Sequence, residues 1–261
     1  MHNIILTPLD YLIVLPFIFL AGLIDSIAGG GGLISLPAYW SVGIPPHLAL
    51  GTNKFSSCCG TLFSTANYFK ARMIDISVAV ISAGFALIGS WLGASSALKV
   101  SPAVLNYLLI FLIPAVAVFS LLKRNMGMQS TAQLLAKSYR LIISAITGLG
   151  IGFYDGFFGP GTGTFLLLIY TSLLHYDFVT GNGNTKVVNL ASNLAAVITF
   201  AFAANIYYPL AIPGAICGIV GNVVGSKLVI ARGNKLIKKV FILSLVLLFT
   251  RILYNLAFSK T

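Results

Sequence analysis

The first half of the chain contains Gly22-Leu-Ile-Asp-Ser-Ile-Ala-Gly-Gly-Gly-Gly32, and the second half contains Gly152-Phe-Tyr-Asp-Gly-Phe-Phe-Gly-Pro-Gly-Thr-Gly163. Each stretch places one aspartate inside an apolar segment, immediately before a glycine run. A lysine follows at similar spacing in each half, in Thr52-Asn-Lys54 and in Asn184-Thr-Lys186. Similarity at a fixed offset, here 130 to 132 residues, predicts that the chain consists of two related halves.

The composition predicts an all-α integral membrane protein. The chain has 261 residues, of which 58% are hydrophobic and only 8% are charged. Soluble domains have about 25% charged residues. A globule of this size needs a polar exterior that so few charges cannot supply. Apolar runs such as 76–98 and 104–122 are long enough to cross a hydrocarbon core of about 30 Å.

The hydrophobic residues group into about ten segments, five in each half. We place them at 11–28, 33–44, 46–69, 76–98, 103–122, 141–158, 163–175, 183–205, 207–230 and 240–257. This division predicts a first transmembrane repeat at 1–122, a linker at 123–140 and a second repeat at 141–261. The second segment of each half is short and follows a glycine run. We therefore expect a glycine-interrupted helical hairpin in each repeat.

The loop charges indicate how the repeats are oriented. If each hairpin returns to its own side, the basic residues of 70–72, 123–140 and 232–239 share one side, and only Lys99 and Lys260 lie opposite. The positive-inside rule favours this arrangement, which makes the repeats inverted, the linker cytoplasmic and both termini external. The net charge of +11 is then explained by loops and anionic lipid, so we expect no nucleic-acid partner. The predicted location is the cytoplasmic membrane of a bacterium or archaeon.

Two aspartates, Asp25 and Asp155, lie within apolar segments. An ionisable side chain at bilayer depth costs about 2.5–3.5 kcal/mol on insertion scales, so it needs a partner or water. One interpretation is structural: the aspartates cap the glycine turns or pair with a lysine. The other is functional: one or both change protonation during transport. The residues leave both interpretations open.

The lysines and glycine runs together predict a site for a small anion. Glycine allows close approach of the backbone, and a helix N-terminus carries about half a positive charge. The alternative is that the lysines only neutralise the aspartates or extend to the membrane surface. The candidate substrate-binding residues are Thr52, Asn53, Lys54, Ser57, Asn184, Thr185, Lys186 and Asn189, with Gly30, Gly31, Gly32, Gly161, Thr162 and Gly163.

At the motifs quoted above, the chain resembles the TauE/SafE family of membrane proteins, known as sulfite exporters or sulfonate-uptake permeases. The motifs occur in both halves and cover almost the full chain. The resemblance implies transport of a small sulfur-containing anion such as sulfite, a sulfonate or sulfoacetate. Proton coupling is suspected in such proteins, and the residues leave it open.

The predicted function is therefore secondary transport of a small sulfur anion by alternating access, and the alternative is an anion channel. Repeated hydrophobic halves with broken helices and intramembrane charges are typical of secondary transporters. We expect no enzyme activity, cofactor or metal, because the sequence lacks glutamate, a metal-ligand cluster and a Ser/His/Asp grouping. The expected partners are the anion and membrane lipid, and the small-residue faces permit a homodimer.

Overall fold

A computed structural model describes residues 6–101 and 127–240, and within these ranges it contains helices and no strand. A short 3₁₀ helix, Ala132–Leu134, precedes the second half. The predicted segment 103–122 and all but the first residue of 240–257 lie outside the described residues. The α-helices are α1 (Pro8–Ala28), α2 (Gly32–Ser41), α3 (Pro46–Lys70), α4 (Ile76–Ala97), α5 (Lys137–Phe157), α6 (Thr162–Ser172), α7 (Phe178–Phe202) and α8 (Tyr208–Arg232).

Local capping signals set several helix starts. The Asp75 carboxylate accepts hydrogen bonds from the first-turn backbone of α4, and the Asp177 carboxylate does the same for α7. Because Asp177 starts α7, this helix begins five residues before the predicted segment at 183. Helix α5 likewise begins at Lys137, inside the predicted linker 123–140. Hydropathy marks only the apolar part of a helix, and both helices extend beyond it into polar sequence.

Four described helices are long and apolar enough to cross a membrane: α1, α4, α7 and α8. Helix α6 is also apolar but shorter. Many large apolar side chains on these helices are exposed, among them Leu12, Trp91 and Phe202. An exposed apolar surface of this kind is expected where the solvent is lipid. The described part of the chain is thus an all-helical, multi-pass membrane protein.

Glycine-mediated packing joins the first helix of each half to the fourth helix of the other. A Cβ built on Gly225 of α8 would lie 2.0 Å from the Ser26 hydroxyl of α1, and Tyr11 and Pro209 meet at the opposite end of this pair. Helices α1 and α8 are therefore parallel. Helices α4 and α5 are parallel for the same reason, because Gly148 packs on Ser82 and Gly156 packs on Ser90.

Helices α3 and α7 are the third helices of the two halves, and they cross antiparallel. Lys54 on α3 contacts Asn193 on α7, while Tyr68 at the other end of α3 contacts Asn182. Helix α8 is parallel to α3, since Ser56 packs near Gly218 and Asn67 bonds to Ser226. Helix α4 is parallel to α7, as the contacts of Asp75 with Asn184 and of Ser90 with Ser192 show. Each of α1, α3 and α4 thus runs opposite to its counterpart in the second half.

The close approach of α4 to α5 gives a prediction about stability. A Cβ on Gly89 would lie 2.2 Å from the Leu149 carbonyl oxygen, whereas a Cβ on Gly84 of the same helix meets nothing within 4 Å. Gly89→Ala is expected to lower the free energy of unfolding by about 1–3 kcal/mol through overpacking. Gly84→Ala is expected to be neutral or stabilising by up to about 1 kcal/mol. Thermal unfolding in detergent measures both, and equal melting temperatures would contradict the packing described.

Candidate functional site

Two lysine–aspartate ion pairs connect the halves. Lys54 Nζ lies 2.7 Å from Asp155 Oδ1, and Lys186 Nζ lies 2.8 Å from Asp25 Oδ2. Each lysine therefore pairs with the aspartate of the other half. The side chains of Lys54 and Lys186 are 3% and 0% exposed, and those of Asp155 and Asp25 are 6% and 19% exposed. The crossed pairs are thus buried contacts between the repeats.

Further hydrogen bonds hold these charged groups. Lys54 Nζ donates to the Asn193 side-chain oxygen at 3.2 Å. Lys186 Nζ donates to the backbone oxygen of Asp25 as well as to its carboxylate. The Ser192 hydroxyl donates to Asp155 Oδ2. A buried charge is tolerated when it is both paired and hydrogen-bonded, and Lys54, Lys186 and Asp155 each have such a second partner.

The two glycine loops cross in direct backbone contact. Gly29 has φ +76°, and a Cβ there would lie 2.3 Å from the carbonyl carbon of Gly163. Gly159 has φ +96°, and a Cβ there would lie 2.9 Å from Lys54 Nζ. A side chain at Gly159 would therefore obstruct the contact of Lys54 with Asp155. The loops need glycine both for their positive φ angles and for this close approach.

A polar cavity of about 30 Å³ lies between the ion pairs and the loops. Its volume accommodates about one or two water molecules. It joins side chains from α3 and α7 to the first turns of α2 and α6. The lining residues are Asp25, Gly30, Gly31, Gly32, Asn53, Lys54, Ser57, Asp155, Gly159, Gly161, Thr162, Gly163, Asn189 and Asn193.

The N-termini of α2 and α6 both reach this cavity. Helix α2 begins at Gly32 after the loop residue Gly31, and α6 begins at Thr162 after Gly161. The first N–H groups of a helix have no partner within it, and they carry the positive end of the helix dipole. The Asn53 side-chain oxygen accepts from Ser35 at 2.5 Å, which leaves the amide N–H₂ group of Asn53 as a further donor. The N–H groups of Leu33, Ile34 and Thr162 already donate to loop carbonyls, so the donors left for an anion are the other first-turn N–H groups and the Asn53 amide.

Four of the predicted substrate-binding residues lie outside the cavity lining: Thr52, Asn184, Thr185 and Lys186. The Thr52 hydroxyl accepts a hydrogen bond from the Tyr207 backbone at 3.0 Å. The Asn184 side-chain oxygen accepts one from the Asp75 backbone at 2.9 Å. The Thr185 hydroxyl donates to the preceding helical turn. Thr52 and Asn184 occupy equivalent repeat positions, and each ties the third helix of one half to the start of the fourth helix of the other.

The remaining predicted residues lie around the cavity, and Lys186 reaches it through Asp25. Asn193 and Ser192 belong to the same polar face but were not among the predicted site residues. Asn193 follows Lys186 by seven residues, so the helical period of about 3.6 residues places the two on one face of α7. Asn189 lies between them on this face. The spacing of polar residues along α7 could therefore have identified Asn193.

A second charged cluster lies at one end of the bundle. Asp75 Oδ2 lies 2.9 Å from Arg140 Nη1 and accepts from the Tyr176 hydroxyl at 2.6 Å. Burial, together with the hydrogen bond to the carboxylate, raises the pKa of Tyr176 above its usual value. Tyr176 therefore remains a neutral donor. The cluster connects the starts of α4 and α5 to the loop before α7, away from the central cavity.

The buried polar centre, the crossed ion pairs and the apolar exterior together define a membrane protein of the transporter class. The chain belongs to the family described as Sulfite exporter TauE/SafE, whose model matches residues 14–252. This match confirms the resemblance drawn from the glycine and lysine motifs. It covers both halves of the chain.

Relatives in several bacteria are similar over most of their length. The probable membrane transporter protein YfcA of Escherichia coli K12 is 30% identical over 90% of this chain and 87% of its own length. The probable membrane transporter protein ORF9 of a Sinorhizobium species is 35% identical, with coverage of 90% and 89%. A probable membrane transporter protein of Haemophilus influenzae is 32% identical, with coverage of 91% and 92%. No solved structure matches the chain.

Proposed function

We propose that this protein is a secondary transporter of small sulfur-containing anions of the sulfite, sulfonate or sulfoacetate type. It works by alternating access in the cytoplasmic membrane of a bacterium or archaeon. The full fold would comprise ten hydrophobic segments in two inverted repeats. The antiparallel courses of α1 and α5, of α3 and α7, and of α4 and α8 support this architecture. The substrate class follows the description of the family, Sulfite exporter TauE/SafE.

The observation that carries the proposal is the polar cavity between the crossed ion pairs. Two lysines and two aspartates contribute formal charges that cancel. The excess positive potential therefore comes from the N-termini of α2 and α6 and from neutral amides such as Asn53. Such dipoles attract an anion without leaving a full unpaired charge buried in its absence.

The size of the cavity indicates how an anion would enter. A sulfite ion has four non-hydrogen atoms, more than a cavity with room for about one or two waters can hold. We propose that binding widens this cavity, whose lining and ion pairs come from both halves. An oxygen of the anion could take the place of the aspartate carboxylate as the partner of the Lys54 or Lys186 ammonium. The ion pair between the halves would then open, and the ammonium would still have a negatively charged partner. This exchange would couple anion binding to the relative movement of the repeats.

Anion binding to purified protein tests the proposal. Thermal shift with sulfite, sulfoacetate, taurine, sulfate and chloride should show selective stabilisation by a sulfur anion. The double variant Lys54→Met/Asp155→Asn removes the ammonium, keeps the site neutral and retains an oxygen for Ser192. We expect about 10- to 100-fold weaker binding, because a hydrogen bond to a charged group contributes about 1.5–3 kcal/mol.

Lys70→Met is the matched control, because Lys70 is an exposed lysine at the end of the same helix α3. It changes the net charge of the protein without touching the cavity. Its anion affinity should equal that of the wild type. Stabilisation by none of the anions, or unchanged affinity in the double variant, would refute the proposed site.

An anion channel would use the same cavity without alternating states. Reconstituted vesicles distinguish the two mechanisms. A carrier gives saturable flux and accelerates exchange of labelled substrate against unlabelled substrate on the other side. Flux that rises linearly with concentration and shows no such counterflow would establish the channel instead.

A further inference from the structure

The two buried aspartates have different surroundings, although the repeat makes them equivalent. Both carboxylate oxygens of Asp155 have partners, because Lys54 pairs with Oδ1 and the Ser192 hydroxyl donates to Oδ2. In Asp25, Lys186 pairs with Oδ2. None of the hydrogen bonds made by the described residues ends on Asp25 Oδ1. The carboxylate of Asp25 thus retains an oxygen that can accept a ligand.

Two substitutions between the repeats explain this difference. Gly60 occupies the position that corresponds to Ser192, and Asn222 occupies the position that corresponds to Ser90. On the Asp155 side, the Ser90 hydroxyl of α4 donates to the Ser192 backbone oxygen of α7 at 2.6 Å. On the Asp25 side, the absence of a side chain at Gly60 of α3 makes room for Asn222 of α8: a Cβ there would lie 2.4 Å from Asn222 Nδ2.

A second cavity, of about 20 Å³, lies beside Asp25 between α1, α3 and α8. Asp25, Asn53, Ser57 and Asn222 line it. Its volume suits about one species of the size of a water molecule. Gly22 and Gly218, which also border it, bring α1 and α8 close together here. The cavity is thus a small compartment next to the central one, with a few polar side chains in a mostly apolar lining.

Asn222 borders this compartment. Its Nδ2 donates to the Gly218 backbone oxygen at 3.0 Å, which fixes the orientation of the amide. Its Oδ1 is buried and has no hydrogen-bond partner among the described residues, and Asn222 as a whole is only 2% exposed. An unsatisfied buried acceptor costs about 1–3 kcal/mol. A ligand at this position must therefore supply positive charge or a proton donor.

We infer that the compartment binds one small monovalent cation of the size of Na⁺, with Asp25 Oδ1 and Asn222 Oδ1 as oxygen ligands. The Ser57 hydroxyl makes no hydrogen bond to a described residue, and it supplies a further oxygen. A carboxylate combined with neutral oxygens suits a hard cation. Asp25 lies in the last turn of α1, where the helix dipole is negative and also favours a cation.

The cation site adjoins the proposed anion site, and this part of the inference rests on the proposed function. Both cavities are lined by Asp25, Gly31, Asn53 and Ser57. Because Lys186 already neutralises Asp25, a bound cation gives the cluster of Asp25, Lys186 and the cation a net charge of about +1. An anion in the central cavity offsets that charge. Each ion should therefore strengthen the binding of the other by the same factor.

Na⁺ titration of purified protein tests the inference, at fixed pH and with choline chloride keeping the ionic strength constant. Na⁺ alone should raise the melting temperature by several degrees. The dissociation constant of sulfite should be at least about fivefold lower in Na⁺ than in choline. A wild-type melting temperature that is the same in Na⁺ and in choline would overturn the cation site.

The double variant Gly60→Ser/Asn222→Ser gives the Asp25 side the two serines found at the corresponding positions on the Asp155 side, and it should abolish the Na⁺ effect. Asn222→Ala, which removes only the amide, should do the same and serves if the double variant does not fold. The control Asn67→Ser removes an asparagine at the same α3–α8 interface, outside both cavities, and should keep the Na⁺ effect. A Na⁺ shift that persists in both Asn222 variants would overturn the assignment.

Sulfite binding in choline alone tests the anion site without the cation. A Na⁺ shift without any sulfite binding would therefore retain the cation site and reject the proposed function. Sulfite binding without any Na⁺ shift would reject the cation site alone.

Discussion

Lys54→Met is expected to destabilise the protein by about 3–5 kcal/mol, the usual effect of removing one partner from a buried ion pair. The methionine fills much of the volume of the lysine, so the loss is mainly electrostatic. It leaves the Asp155 carboxylate, only 6% exposed, with the Ser192 hydroxyl as its remaining partner. Lys186→Met should be less damaging, because Asp25 is 19% exposed and can be solvated from the cavities.

The double variant Lys54→Met/Asp155→Leu provides the control, because it removes both charges together. Replacement of a buried ion pair by apolar residues of similar volume is often neutral or stabilising. Most of the lost stability should therefore return, although anion binding should not. Denaturant or thermal unfolding in detergent measures the stability of Lys54→Met and of the double variant. A double variant as unstable as Lys54→Met would show that the damage comes from packing and not from the unpaired carboxylate.

The repeat motifs were sufficient to predict which charges lie inside apolar segments. Asp25, Asp155, Lys54 and Lys186 were predicted at bilayer depth, because charges in duplicated apolar segments need partners there. The structure joins all four at one centre. The sequence could not distinguish pairing within a half from pairing between halves. That choice depends on how α3 and α7 cross, which no local pattern specifies.

The positions of Thr52 and Asn184 illustrate a second limit. Each stands two residues before a lysine, so the motif groups them with the site. Successive residues of a helix are rotated by about 100°, so positions two apart face nearly opposite sides. The structure accordingly bonds Thr52 and Asn184 to the backbone of neighbouring loops. Helical periodicity can separate the two faces once the helix is known to extend through both residues.

The difference between Asp25 and Asp155 could not be predicted from either motif alone. It arises from Gly60 and Asn222, which lie far from the glycine runs in sequence. Gly60 stands at the position that corresponds to Ser192, so the Asp25 side lacks a hydroxyl there. Asn222 stands at the position that corresponds to Ser90, so the Asp25 side gains an amide. Their joint effect becomes visible only when α1, α3 and α8 are packed together. A duplicated site can in this way acquire two unequal halves.

Gly29→Ala is the second change with a large expected effect, and it should greatly reduce both stability and transport. Gly29 has φ +76° and ψ 176°, a conformation that is essentially restricted to glycine. Its Cβ would also lie 2.3 Å from the Gly163 carbonyl carbon and 2.5 Å from the Thr164 nitrogen. These are backbone atoms, so a rotamer change cannot relieve the collision. The two loops must separate, and the N-terminus of α6 must move away from the cavity.

Gly43→Ala separates the effect of the positive φ from the effect of the steric collision. Gly43 has nearly the same φ, +79°, but a Cβ there meets nothing within 4 Å. A left-handed conformation alone costs alanine about 1–2 kcal/mol. Gly43→Ala should therefore lower the melting temperature moderately and leave transport intact. Gly29→Ala should lose transport even at temperatures where the protein remains folded. If both variants lose similar stability and both retain transport, the crossed loops do not form the functional centre, because their contact would then tolerate displacement.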